Sequence, residues 1–190
     1  MAKGSGNTRG VAYFNTLQKA ANEIARQMEM SLLSEAANEV GRRIDIIDAN
    51  GGHGSRESQG PPVSIGSLPK NIVNFYQENH YPLESTQMVM TSKQLQHGRR
   101  EDKIANGLLV SKEEMKNFIL HKNNAGQFYD SKKKDLIFVM GNAKFVMTPN
   151  YDLKLKNGKT KVVNYITATR IEGNISDHVA SYKKIKDEKQ

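Results

Sequence analysis

The densest group of side chains capable of acid–base chemistry lies in the run His97-Gly-Arg-Arg-Glu-Asp-Lys103. A histidine titrates near neutral pH, so His97 could transfer a proton during catalysis. Arg99, Arg100 and Lys103 could bind phosphate oxygens. Metal-independent RNA cleavage needs such groups, because a base removes the 2′-hydroxyl proton and cations stabilise the phosphorane. The alternative is an exposed histidine at the start of a helix on a basic face.

A second polar group lies in the last predicted strand, which ends in Ile-Thr-Ala-Thr-Arg170. Side chains alternate along a strand, so Thr167 faces the open side of the sheet if its apolar neighbours meet the helices. Tyr129 and Lys144, on neighbouring strands, could contact a phosphate or stack on a base. The alternatives are ordinary β-propensity for Thr167 and a core position for Tyr129.

The sequence carries no recognisable metal or cofactor motif. It has no cysteine, and its five histidines lack the spacing of metal ligands. A glycine-rich phosphate loop, an HExxH pair and a nucleophile elbow are all missing. We therefore expect no cofactor and no structural metal.

Positive charge is concentrated in the second half of the chain. Residues 1–90 carry 8 Lys/Arg against 9 Asp/Glu, whereas residues 91–190 carry 20 against 11. Such an asymmetry favours a polyanionic partner, and we expect nucleic acid, with RNA favoured. A soluble lysine-rich surface is the alternative.

A long helix is predicted for residues 15–47, after a flexible arm at residues 1–10. Apolar residues recur there every three or four positions, namely Leu17, Ala21, Ile24, Met28, Leu32, Ala36, Val40, Ile44 and Ile47. The rod would be about 45 Å long, which is more than a small domain covers. We expect it to dock on another chain, such as a virion protein, or on its own copies. Folding back on the rest of the chain is the alternative.

The remaining sequence predicts an α+β fold, with a linker followed by helices packed on a small antiparallel sheet. We divide the chain into an arm and amphipathic helix (1–49), a Gly/Ser/Pro linker (50–67), a basic α+β module (68–172) and a charged tail (173–190). In the module, Ser111-x-x-Glu114 predicts a capping box. Helices are expected at 68–78 and 91–100, and strands at 127–129, 136–140, 144–148 and 162–170.

The segment from Met88 to Ile171 resembles the phage and polymorphic-toxin nucleases of the barnase–EndoU–colicin-D–RelE group. The resemblance lies in His97-Gly-Arg-Arg, the capped helix, and the runs GQFYDSKKKDLIFVM, KFVM and VNYITATRI. It implies helices followed by a four-stranded antiparallel sheet. It also implies roles for the site residues: His97 as general acid/base, Thr167 at the scissile phosphate with Tyr129 assisting, and Arg99, Arg100 and Lys103 as phosphate ligands. Lys144 and Arg170 complete the expected nucleic-acid-binding set. A carboxylate base or second histidine on the sheet, present in other members, is not evident.

These observations favour a metal-independent RNA-cleaving domain of a phage or mobile-element effector, or toxin. The alternative is a non-catalytic virion protein, such as a ring, neck or packaged component, that assembles through its long helix. A nucleic-acid-binding regulator is less favoured, because no helix-turn-helix or aromatic RNA-binding motif is present. We expect no membrane partner and no signal peptide, and place the protein in the host cytoplasm or the virion.

Overall fold

The fold is α+β, as the sequence predicts. The computed structural model describes the backbone of residues 5–187 and the side chains from residue 8 to 187. Six helices are present in this part of the chain: α1 (Ser5–Ala49), α2 (Lys70–Glu78), α3 (Ser92–His97), α4 (Glu101–Ala105), α5 (Lys112–His121) and α6 (Ile175–Val179). A single turn of 3₁₀ helix, Lys122–Asn124, follows α5.

Seven strands form one sheet in the order β1-β2-β6-β5-β4-β3-β7. They are β1 (Val63–Ser67), β2 (Gln87–Met90), β3 (Gly126–Asp130), β4 (Asp135–Met140), β5 (Ala143–Lys154), β6 (Thr160–Arg170) and β7 (Lys183–Lys184). The predicted meander of β3 to β6 is confirmed and antiparallel. The β2–β6 pair is parallel, which the prediction of a purely antiparallel sheet missed.

The two faces of the sheet have different surroundings. Residues paired across antiparallel strands project to the same side, so Phe145 and Ala168 share one face while Lys144 and Thr169 share the other. On the first, covered face, Phe118 of α5 stacks on Phe145 with ring centroids 3.9 Å apart. The second, open face carries Lys144, Thr167 and Thr169, all of them partly exposed.

Local sequence signals explain where the helices over the covered face begin. The Thr91 side chain accepts a hydrogen bond from the Gln94 amide and caps α3. Ser111 and Glu114 form the predicted capping box at the start of α5. These caps fix the first turns of α3 and α5, whose residues Leu95 and Phe118 reach the core.

Helix α1 divides into two parts with different environments. Its inner segment, residues 33–49, folds back on the module and buries Val40, Ile44 and Ile47 completely. Its outer arm, residues 8–32, exposes its large apolar side chains, including Phe14 and Leu17. Stripe residues four positions apart are offset by about 40° around the helix axis. Over the sixteen residues from 28 to 44 the stripe therefore rotates by about 160°. The apolar face of the arm therefore points away from the module.

The predicted linker and tail are more structured than expected. Residues 63–67 of the predicted linker, 50–67, form edge strand β1. Ser58 is fully buried, and its carbonyl accepts a hydrogen bond from the Ser92 hydroxyl. The tail forms α6 and β7, and Ile185 is buried in the core. Residues 5–10 of the predicted flexible arm belong to α1, and residues 1–4 lie outside the described part. Elements this short contain too few residues to show a periodic pattern in the sequence.

Within residues 5–187, every helix is too short or too polar to cross a lipid bilayer.

Candidate functional site

A cluster of polar side chains lies where His178 of α6 meets the open face of the sheet. Lys144 Nζ is 3.0 Å from His178 Nε2, and the Tyr182 hydroxyl is 3.5 Å from the same nitrogen. The rings of His178 and Tyr182 meet edge to face, with centroids 5.8 Å apart. We call these three residues the open-face cluster.

Local structure positions each member of the open-face cluster. Lys144 lies between the buried residues Ala143 and Phe145 of β5, so strand alternation directs it to the open face. Asn174 caps α6 by accepting a hydrogen bond from the Ser176 amide at 2.8 Å, which starts the helix that carries His178. Tyr182, four residues later in the turn after α6, lies beside His178.

The surroundings of the open-face cluster alter its proton affinities. Desolvation lowers the pKa of Lys144, and the positive charges of Lys133 and Lys103 lower it further. Desolvation, and then the charge of Lys144, lower the pKa of His178. A neutral His178 can therefore accept a hydrogen bond from the Lys144 ammonium near neutral pH. Desolvation and nearby carboxylates raise the pKa of Tyr182, so its phenol stays protonated.

The chemistry available here is proton transfer next to concentrated positive charge. Lys144 belongs to no ion pair among residues 8–187, so no carboxylate neutralises it directly. Asp130 is close enough to raise the pKa of Lys144, and its Oδ1 accepts hydrogen bonds from the backbone amides of Lys132 and Lys133. In the described residues no three His, Cys, Asp or Glu side chains are grouped as metal ligands.

Three of the predicted site residues lie at or near this cluster. Lys144 is a member of it. Thr167 lies on the same face of the sheet as Lys144, because it is two residues before Thr169 on β6 and Thr169 pairs with Lys144. Lys103 is close enough for its charge to lower the pKa of Lys144. Lys144 and Thr167 therefore lie on one face of the sheet, and their predicted contacts with a phosphate stay predictions.

Arg99 has a structural role instead of the predicted phosphate contact. Its side chain is only 6% exposed and forms an ion pair with Asp48 at the end of α1. Nη2 donates to Asp48 Oδ2 at 2.8 Å, and Nη1 donates to the Val110 carbonyl at 2.6 Å. These contacts and its burial give Arg99 the role of joining α1 to the module.

Arg170 and Tyr129 are also occupied by the fold. Arg170 lies on the covered side, where it donates to Glu114 Oε1 at 2.5 Å and to the Leu109 carbonyl at 3.0 Å. Tyr129 is buried, and its ring stacks on Tyr81 with centroids 4.7 Å apart. These contacts give Arg170 a structural role and confirm for Tyr129 the core position that was the alternative.

His97 and Arg100 are exposed at the end of α3 and the start of α4. The adjacent Gly98 packs so closely on β6 that a Cβ there would lie 3.3 Å from the Ala168 carbonyl oxygen. The end of α3 therefore adjoins the strand that carries Thr167. The His97 imidazole forms no hydrogen bond or ion pair with residues 8–187, so its predicted catalytic role stays a prediction.

Sequence reasoning missed His178 and Tyr182, which lie in the segment assigned to a charged tail. Their spacing of four residues would place them on one side of a helix, and Asn174 provides the cap. That signal was available, but nothing in the order of residues shows that this short helix lies beside Lys144.

The chain matches no protein-family model, and it resembles neither a curated protein nor a solved structure closely enough to identify a relative.

Proposed function

We propose that this protein is a metal-independent RNA-cleaving module, of the kind carried by a phage or mobile-element effector, with its active site on the open face of the sheet. The observation that carries the proposal is the 3.0 Å contact between Lys144 Nζ and His178 Nε2. An acid and a base in contact, both with lowered pKa and neither neutralised by a carboxylate, suit proton transfer at an anionic substrate.

The reaction requires a phosphodiester to enter between Lys144 and His178. His178 Nε2 takes the proton of the ribose 2′-hydroxyl as the 2′-oxygen bonds to phosphorus. The bond from phosphorus to the 5′-oxygen breaks, and the Lys144 ammonium donates a proton to that leaving oxygen. The products are a 2′,3′-cyclic phosphate and a 5′-hydroxyl end. The lowered pKa of each group favours its role, because Lys144 releases its proton more readily and His178 is neutral at lower pH.

Binding of the RNA backbone rests on cations around the cluster. Lys103 and Lys133 affect the pKa of Lys144 and can hold flanking phosphates. Thr167 offers a hydroxyl on the same face and can donate a hydrogen bond to a non-bridging phosphate oxygen. Lys103 and Thr167 thus keep the phosphate-binding roles that the sequence analysis gave them.

A cleavage assay on mixed RNA in the presence of EDTA tests this function. We expect His178→Ala to reduce the cleavage rate by about 100-fold or more, as loss of a general base does. Lys144→Ala should reduce it similarly, and Lys132→Ala, in the exposed turn after β3, is the matched lysine control. His97→Ala tests whether His97, instead of His178, is the general base. Full activity of His178→Ala with loss of activity in His97→Ala would move the base to His97, and wild-type inactivity would refute the proposal.

Assembly through α1 is a second candidate function, favoured by the exposed apolar face of the arm. Five arm positions alternate by three and four residues, namely Phe14, Leu17, Ala21, Ile24 and Met28. That spacing is the heptad seam of a coiled coil. The large side chains of the seam are each more than half exposed, so no other part of the described chain covers them.

The side chains of the seam fit a second copy of this chain in antiparallel orientation. Layers would then pair Leu17 with Met28 of the second copy, and they would set Ile24 against the smaller Ala21 and Phe14 against the smaller Ser31. A parallel pair would instead place Ala21 against Ala21 and Phe14 against Phe14. The flanking positions are the uncharged residues Gln18, Ala20, Ala25 and Gln27, so like charges do not oppose self-association. This seam is where a virion or other particle protein would assemble.

Light scattering coupled to size exclusion tests the antiparallel pair. We expect the wild type to show a concentration-dependent dimer and Ile24→Asp to be monomeric with an unchanged module. Lys19→Asp, which changes charge away from the seam, should still dimerise. A wild-type chain that stays monomeric at every concentration, or an Ile24→Asp chain that dimerises as the wild type does, would contradict it.

A further inference from the structure

A pocket walled by three tyrosines opens at the end of the sheet, beside the turn between β3 and β4. Its volume is about 400 Å³, within the range of small-molecule sites. Tyr76, Tyr81 and Tyr129 line it, together with Asp135 and Thr148. We call it the tyrosine pocket. Neither the proposed cleavage chemistry nor the assembly seam uses it.

The loop around the tyrosine pocket is held by two asparagines. Asn150 lies at a bulge in β5 with φ of 55°, a conformation that asparagine tolerates better than most residues. Its side chain donates to the Pro82 carbonyl at 2.8 Å and accepts from the Glu84 amide at 2.8 Å. Asn164, fully buried, accepts from the Asn150 amide and donates to the Ser85 carbonyl at 2.6 Å. These bonds preform the wall that Pro82 and Asn150 give to the pocket.

Tyr76 provides an unused hydrogen-bonding group in this wall. The residue is only 2% exposed, yet its hydroxyl has no hydrogen-bond partner, the sole such buried side-chain atom among residues 8–187. Buried polar groups in folded proteins are nearly always paired, so an unpaired one needs an explanation. A ligand polar group in the tyrosine pocket would supply the missing partner.

Asp135 provides a hydrogen-bond acceptor in the same pocket. Desolvation raises the pKa of its carboxyl, and so does the negative charge of Asp130, while a hydrogen bond from Thr148 and the charge of Lys133 lower it. The net shift is upward, so burial outweighs the favourable contacts of the carboxylate. A ligand N–H group would offset that burial.

Cations link the tyrosine pocket to the open-face cluster. Lys133 and Lys134 line the pocket, and Lys133 is also close enough to lower the pKa of Lys144. A ligand could therefore occupy the pocket with its flat, apolar part and extend an anionic part toward Lys133. Aromatic walls, a hydrogen-bonding edge and an attached phosphate together describe a nucleotide.

We propose that the tyrosine pocket binds the base of a ribonucleotide whose phosphate lies between Lys133 and Lys144. The base lies against the tyrosine rings, its N–H edge donates to Asp135, and a second polar atom pairs with the Tyr76 hydroxyl. The pocket would thus select which nucleotide flanks the cleaved bond. This inference rests on the proposed function, because it takes the open-face cluster as the site of the phosphate.

Calorimetric titration with the four ribonucleoside 3′-monophosphates tests the pocket, with ribose 5-phosphate as the probe that lacks a base. We expect at least one nucleotide to bind more tightly than ribose 5-phosphate. Tyr76→Phe should weaken the affinity for that nucleotide about three- to ten-fold, the effect of one hydrogen bond. Because the hydroxyl has no partner within the fold, the melting temperature of Tyr76→Phe should be unchanged or higher. Tyr151→Phe, outside the pocket, is the matched control and should bind as the wild type does.

Equal binding of all four nucleotides and ribose 5-phosphate would overturn the inference, and so would unchanged affinity in both Tyr76→Phe and Asp135→Asn. Asp135→Asn is included because a ligand could bind in the pocket without contacting the Tyr76 hydroxyl. The inference and the cleavage proposal fail separately. Nucleotide binding that depends on Tyr76 in a protein without ribonuclease activity would refute only the cleavage proposal. RNA cleavage without base-dependent nucleotide binding would refute only the pocket.

Discussion

Basic residues from the second half of the chain have different partners on the two sides of the sheet. On the covered face, Arg170 is paired with Glu114, and Arg99, on the helical layer above it, is paired with Asp48. On the open face, Lys144 contacts a histidine and has lysines among its neighbours. The two covered arginines are thus neutralised by carboxylates, whereas Lys144 on the open face forms no ion pair among residues 8–187.

This difference shows that a positive net charge does not by itself identify the cations that bind a ligand. An arginine under a helical layer must be paired, because an unpaired buried charge is strongly destabilising. A lysine on an open face can remain unpaired at lower cost. If the comparison is right, substitutions on the covered side should lower stability, and substitutions on the open face should alter function instead.

The largest effect on stability is expected for Arg99→Ala. The substitution removes two bonds to Asp48 and one to the Val110 carbonyl. We expect the free energy of unfolding in urea to fall by about 2–4 kcal/mol. Arg100→Ala, next in sequence and exposed, should change it by less than about 0.5 kcal/mol. Equal effects of the two substitutions would remove the distinction between paired and exposed arginines.

A smaller effect is expected for Glu114→Gln, which keeps an acceptor for the Ser111 amide but removes the charge that faces Arg170. Burial opposes the ionised form of Glu114, but hydrogen bonds from Arg170 and Ser111 lower its pKa below 4.5. An acid whose pKa is lowered on folding stabilises the protein above its unfolded pKa, and that contribution is lost as pH falls.

The wild type should therefore be more stable than Glu114→Gln by about 1 kcal/mol at pH 7. Urea unfolding at neutral pH and below pH 4 checks this, since the difference should shrink in acid. A difference that stays constant with pH would show that the charge of Glu114 contributes nothing.

The sequence predicts the module better than its surroundings, for physical reasons. Strands β4 to β6 have six, twelve and eleven residues, and the first half of β5 alternates between buried and partly exposed side chains. Turns at Gly141 and Gly158, both with positive φ, fix their hairpins. Strands β1, β2 and β7 have five residues or fewer, and their pairing depends on distant segments. The parallel β2–β6 pair is a long-range contact of this kind.

The candidate site was predicted only in part, because it depends on tertiary contacts. Lys144 and Thr167 follow from strand alternation, which is local. His178 joins them only because the segment after β6 brings α6 beside Lys144. Arg99 was misassigned because its partner, Asp48, lies 51 residues earlier in the chain. The sequence pattern predicts one apolar stripe along α1, but the rotation of that stripe divides it between the module and the exposed arm.

The smallest effect on stability is expected on the open face, for Lys144→Met. Desolvation lowers the pKa of Lys144, so the protonated lysine opposes folding at neutral pH. The free energy of unfolding should be unchanged or higher by up to about 1 kcal/mol. Affinity for RNA should fall, and the slope of its logarithm against the logarithm of salt concentration should decrease by about 1. Lys19→Met, on the arm, should leave that slope unchanged, and a destabilised Lys144→Met would contradict the comparison.

The most direct test of the open-face site is an NMR titration of His178, assigned by the signal that disappears in His178→Gln. With the protein alone, we expect a pKa below the ordinary histidine value of 6.5, which returns toward 6.5 in Lys144→Met. Adding an RNA analogue that lacks 2′-hydroxyls should raise the pKa of His178, because a bound phosphate stabilises the imidazolium. A His178 that titrates normally, and that neither Lys144→Met nor the analogue affects, would contradict the proposed site.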